Sequence, residues 1–154
     1  MKTIIDKLAD TIAALPLEKG QKHPMPFVYE DTDVQNIMFD QIEPPLVACV
    51  PITSAAITDE RNNYHERITL ALWFADKMCE ASPDYDARKN EQIIDRCKRR
   101  AFKWCASMFP KNELELVSVN GSDRAYLEGD AMLTGYILNV TLEEVAGTGK
   151  CTQL

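Results

Sequence analysis

Three features of the sequence predict an α+β domain, with a mixed or antiparallel sheet and two long helices packed on one face. Apolar residues recur at helical spacing between Asp84 and Phe109. Residues 64 to 75 and 136 to 143 alternate at the two-residue period of a strand. Successive strands follow one another at short intervals, without the regular strand and helix alternation of a doubly wound fold.

The first element is an amphipathic helix over residues 3 to 15, because Ile4, Ile5, Leu8, Ile12 and Leu15 repeat at three, four and seven and Pro16 ends the run. A polar, proline-bearing stretch from Leu17 to Pro26 leads to a short strand, Phe27 to Tyr29. Thr32 or Asp33 suits the cap of a short helix carrying Val34, Ile37 and Met38, and Pro44 with Pro45 returns the backbone to an extended form. Leu46 to Val50 is continuously apolar, the pattern of an interior strand buried on both faces, with pairing expected to end at Pro51.

The polar segment Thr53 to Asn63 comes next, with Thr58 to Asn63 read as a polar loop. A long strand follows it, with Tyr64, Glu66, Ile68, Leu70, Leu72 and Phe74 on one face and His65, Arg67, Thr69, Ala71, Trp73 and Ala75 on the other. The first face is apolar apart from Glu66. The second starts polar and turns apolar near Trp73, leaving a half-polar surface to which a partner could bind.

After a connection over residues 76 to 83 comes the long helix. At about 100° per residue, Ile93, Ile94, Cys97, Ala101, Trp104, Cys105 and Met108 fall within an arc of about 120° and form its core face. Lys89, Arg96, Arg99, Arg100 and Lys103 gather about 125° from the centre of that arc, on the side expected to meet water. Asp84 and Asp86 suit the positive end of the helix dipole, and Pro110 stops the helix. Leu114 to Val119 alternates as a strand that the turn signal Asn120-Gly121 is expected to end, and Arg124 to Leu127 is left open as a further short strand. In the last long strand Tyr136, Leu138, Val140 and Leu142 share a face, with Ile137, Asn139, Thr141 and Glu143 on the other. Residues 1–146 thus read as one domain and 147–154 as a flexible tail.

A chain of 154 residues is long enough for a core of its own, burying close to 70% of its unfolded surface. With 24 acidic and 17 basic residues its net charge of −7 repels nucleic acid and anionic membranes as a whole. No apolar run approaches the roughly 18 residues of a membrane span, and acids at Asp6 and Asp10 break any leader pattern. The expected setting is the cytoplasm of a bacterial host, or a virion. Five cysteines without Cys-x-x-Cys spacing disfavour a disulfide framework and a zinc site. Cys97 and Cys105, about 12 Å apart along one helix, are core fillers.

The residue chemistry leads to no catalytic, cofactor or metal set. His65 and Cys79 are the one pair that invites a nucleophile, yet residues 65 and 75 of a straight strand already lie about 33 Å apart. Asp84 and Asp86, or Asp123, Glu128 and Asp130, read more simply as caps and solvated turns than as a cation or hydrolytic site. Gly147-Thr148-Gly149-Lys150 lacks the first glycine and the following helix of a phosphate loop. Seven of the 17 cations lie between residues 88 and 103, which marks either a solvated helix back or a contact with an acidic partner, including a second copy of this chain. The candidate interface comprises His65, Arg67, Thr69, Lys89, Arg96, Arg99, Arg100 and Lys103, with the polar stretch Thr58 to Asn63 beside them.

From Ile4 to Val145 the order of elements resembles the tail-terminator and tail-completion proteins of long-tailed bacteriophages. The features that carry the likeness are the N-terminal helix, the strand Pro44-Pro45-Leu46-Val47-Ala48-Cys49-Val50-Pro51 and the long strand His65 to Phe74. With them go the helix ending at Met108-Phe109-Pro110 and the closing strand Leu133 to Leu142. The resemblance implies a non-enzymatic head–tail joining subunit that forms a hexameric ring between the tail tube and the head connector, with DNA passing through the lumen. A regulatory or nucleic-acid-binding module that uses the basic helix face is the alternative. An enzyme assembled from loop carboxylates across a subunit interface is a third class.

Overall fold

A computed structural model of the chain describes residues 2–29, 45–50, 54–60, 63–77, 88–108, 113–128 and 133–144. In chain order its elements are α1 (Ile4–Ala13), β1 (Phe27–Tyr29), β2 (Leu46–Cys49), β3 (Ser54–Glu60), β4 (Asn63–Lys77), α2 (Arg88–Ser107), β5 (Leu114–Glu128) and β6 (Leu133–Glu144). A mixed, mostly antiparallel sheet of six strands with two helices makes this an α+β fold.

α1 starts where its sequence closes a capping box. Asp6 N–H donates to Thr3 Oγ1 at 3.1 Å, and Thr3 N–H donates to Asp6 Oδ2 at 2.9 Å, so two orphan donors are satisfied reciprocally. Leu8 and Ile12, one turn apart, are its buried residues. Residues 32–38, 78–87 and 145–154 lie outside the described residues, and with them the expected short helix, the Asp84 and Asp86 cap and the tail.

The sheet runs β1-β2-β4-β6-β5, with β3 also on β4; among the described strands only the β1–β2 pair is parallel. β2 lies between β1 and β4, as its continuous apolar sequence requires, and all four of its residues are buried. β2 and β3 lie end to end along one edge of β4: β2 pairs Leu72 to Ala75 and β3 pairs Asn63 to Thr69. β6 takes the other edge from Arg67 to Lys77.

Two segments depart from the sequence expectation. The polar segment after Thr53 holds β3, which runs into the expected Thr58 to Asn63 loop as far as Glu60 and joins β4 through only two residues. β5 does not end at Asn120-Gly121 but continues to Glu128, with register shifts between Leu116 and Ser118, Val119 and Gly121, and Ala125 and Glu128. The turn signal is used as an irregularity within a strand, where an extra residue is accommodated and the chain goes on. Asn120 is held there by its own amide, which donates to Thr141 Oγ1 at 2.9 Å and accepts from Ser118 Oγ at 2.7 Å.

Alternation along β4 feeds two cores. Ile68, Leu70, Leu72 and Phe74 join Leu138, Val140 and Leu142 of β6, Leu8 and Ile12 of α1, and Ile93, Cys97, Ala101, Trp104 and Met108 of α2. Trp73 and Ala75 join Leu46, Ala48, Ala125 and Leu133 in a second cluster. Full burial of a side chain such as Leu72 or Phe74 contributes about 2 kcal/mol. Trp104 fixes α2 to α1 with a polar contact inside the apolar layer: its Nε1–H donates to Thr11 Oγ1 at 2.9 Å, and Thr11 in turn donates to Leu8 O at 2.7 Å. At the β4–β6 crossing Gly135 admits no side chain, because a Cβ there would sit 2.1 Å from Phe74 O.

Candidate interaction surface

The eight sequence-chosen residues separate into two groups, one on the sheet and one on α2. His65, Arg67 and Thr69 alternate with the β4 residues that enter the first core, so they lie on the other sheet face. Strand pairing sets Thr58 opposite His65, Glu143 opposite Arg67 and Thr141 opposite Thr69. Side chains then link across the strands. Thr58 Oγ1 donates to Glu143 Oε1 at 2.5 Å, Arg67 Nε lies 3.4 Å from the same oxygen in an ion pair, and the Thr69 and Thr141 hydroxyls meet at 3.2 Å. Burial alone would raise the Glu143 carboxyl, but Thr58 and the Arg67 guanidinium outweigh it and hold the group below its ordinary value. Asn120 extends this polar band from Thr141 onto β5.

The second group does not form one solvated stripe. Arg96 and Arg99 are exposed, and Lys103 with them, spaced three and four residues apart along α2. Arg99 Nη2 contacts Asp95 Oδ2 at 2.9 Å. Lys89 is half-buried. Arg100, expected on the wet side, is only 9% exposed. Its Nε and Nη2 donate to Glu18 Oε1 and Oε2, and its Nη1 donates to Asp76 Oδ2, each at 3.0 Å. Desolvation opposes the charged guanidinium, yet the two carboxylates keep its pKa above the usual value, while Arg100 pulls Glu18 down. Arg100 is therefore a clasp between the segment after α1, the end of β4 and α2, and not a free interface cation. Its partners are 82 and 24 residues away, so no periodicity along α2 could have shown them.

Sequence reasoning also placed Tyr64 with the core face of β4, and the structure corrects this. Among the described residues β6 pairs with β4 back as far as Arg67, and Asn63 to Glu66 pair there with β3 alone. Tyr64 is 65% exposed and Ile57, diagonally across from it, 74%. Asp59 and Glu66, their cross-strand partners, are exposed as well. Residues 55 to 58, Ala-Ala-Ile-Thr, carry no alternation that would have marked β3.

An open cleft of about 730 Å³ lies between α2 and β5, lined among others by Glu91, Asp95, Lys98 and Arg124. Four of its charges pair off, Arg124 with Glu91 and Lys98 with Asp95. Among the described residues no three His, Cys, Asp or Glu side chains group as a metal would need, and no helix is long and apolar enough to cross a membrane. The cysteines described are free: burial pushes the Cys49 and Cys97 thiols up to about 12. No family model matches the chain, and no curated protein matches it in sequence.

Proposed function

We propose that this protein is a non-enzymatic structural subunit of a phage or prophage, of the tail-terminator kind, that assembles with copies of itself into a ring at the head–tail joint. The likeness in element order noted above supports this, and one structural observation carries it. Among the described residues the β3–β4 hairpin extends past the β4–β6 pairing by the four residues Asn63 to Glu66, about 13 Å of strand, and presents Ile57 and Tyr64 to solvent. Large apolar side chains held out on a projecting hairpin suit contact with another protein. Both helices are taken to cover the same sheet face, since residues of each join the core built on Ile68, Leu70, Leu72 and Phe74. The ring is a hexamer by resemblance, its neighbours are the tail tube and the head connector, and it forms in the host cytoplasm before joining the virion.

Sedimentation of the purified chain, alone and with tail tubes, tests this. A concentration-dependent oligomer that caps tube ends in electron micrographs is the expected result. A monomer at every concentration that leaves tubes unchanged would overturn it. Exposed Arg96, Arg99 and Lys103 favour a second reading, a module that grips a phosphate backbone. Salt-sensitive DNA binding abolished by Arg96→Ala with Arg99→Ala would select that reading.

A further inference from the structure

We infer that the β3–β4 hairpin of one copy docks on the exposed back of α2 of the next copy. This contact would join subunits head to tail, and the inference rests on the self-assembly proposed above.

The two surfaces are complementary in kind. The hairpin face carries Ile57 and Tyr64 with the carboxylates Asp59 and Glu66 beside them. The α2 back carries Arg96, Arg99 and Lys103, and Phe102, 52% exposed and edge-on to Tyr136 of its own chain, lies three residues from Arg99 on its flank. From Gln92 to Lys103 the helix has five cations against the single acid Asp95; Arg100 is turned inward to Glu18 and Asp76, and Arg96, though exposed, lies 4.0 Å from the same Asp76 carboxylate. Apolar side chains ringed by acids thus face an aromatic ring bordered by bases, a pairing that gives both desolvated area and register.

The hairpin tip lies far along β4 from the point at which Arg100 of α2 is held. Asp76, which holds Arg100, and Tyr64 are twelve residues apart on β4, about 40 Å along a straight strand. Each copy therefore offers one donor surface and one acceptor surface at separate places. A contact of that type is heterologous, and it builds a ring where the rotation between copies closes. The sheet edges agree with this polarity: among the described strands β3 and β5 each pair on one side only, at opposite sides of the sheet.

The test uses the full-length chain in two versions, Ile57→Ser with Tyr64→Ser on the hairpin and Arg99→Glu with Lys103→Glu on the helix. Circular dichroism and urea melts establish that both remain folded. Sedimentation equilibrium should show self-association weakened by roughly 30-fold or more in each, the loss expected when a central anchor of an interface is removed. Mixed one to one, the two versions should form a dimer and nothing larger, since only one competent pair of surfaces remains. An oligomer of wild-type size in either version would sink the hairpin-to-helix contact while leaving self-assembly standing. A mixture that stays monomeric while the wild type assembles would overturn it too, and a wild type that never assembles would overturn both.

Discussion

The Arg100 guanidinium meets the Glu18 carboxylate edge to edge, Nε on Oε1 and Nη2 on Oε2, each at 3.0 Å. The remaining nitrogen, Nη1, holds Asp76, so one side chain ties three parts of the chain together. Arg100→Ala leaves Asp76, whose side chain is largely buried, without this partner, and the expected loss is about 3 kcal/mol in urea denaturation. Arg100→Lys should recover only part of it, because a single ammonium cannot repeat the two-pronged contact.

Acid should unfold the protein partly through the same contact. Glu18, Glu143 and Asp6 all have lowered pKa values: Arg100 is the main cause for Glu18, Thr58 and Arg67 overcome burial for Glu143, and the Thr3 backbone N–H lowers Asp6. A group lowered in the folded state binds more protons when unfolded, so its contribution is complete above the unfolded value and fades as pH falls through the folded one. The urea midpoint should hold from pH 7 to about 5 and drop below about pH 4. Glu18→Gln should lower it at pH 7 and flatten the acid limb, and an unchanged limb would count against this assignment.

Gly135→Ala should be among the most damaging small substitutions. Its Cβ would lie 2.1 Å from Phe74 O and 2.9 Å from Ala75 Cα, both backbone atoms, so β4 and β6 must part for it to fit. The expected cost is about 3 kcal/mol. Gly121→Ala, with nothing nearer than Asn139 Nδ2 at 3.9 Å, is the control and should leave the thermal midpoint within a few degrees.

Thiol labelling should distinguish native from unfolded protein. With their pKa pushed up to about 12, Cys49 and Cys97 are almost wholly protonated at pH 8 as well as shielded. Both should resist iodoacetamide in buffer and react in urea, as read by peptide mass spectrometry.

Local pattern made much of this fold legible. Apolar spacing located α1 and the core face of α2, alternation located β4 and β6, and an unbroken apolar run located β2. What it missed depended on distant partners. Among the described strands β3 pairs on one side only, and its Ala55, Ala56 and Ile57 bury little, so its composition gives no amphipathic contrast; its pairing with β4 makes it a strand. Asn120-Gly121 carries turn chemistry that the long partner β6 overrides. Arg100 sits on the helical wheel beside true surface cations, and only Glu18 and Asp76 bring it inside. Of the interface residues proposed from sequence, His65, Arg67 and Thr69 do gather with cross-strand partners, whereas the helix residues divide between solvent and clasp.

β4 is continuous from the projecting hairpin to the centre of the sheet, and eleven of its residues are in register with β6. Tension applied along the hairpin would load that ladder in shear, with its hydrogen bonds lying across the pull and yielding together instead of unzipping one at a time. A subunit gripped by this arm would accordingly resist being drawn out of an assembly by mechanical force.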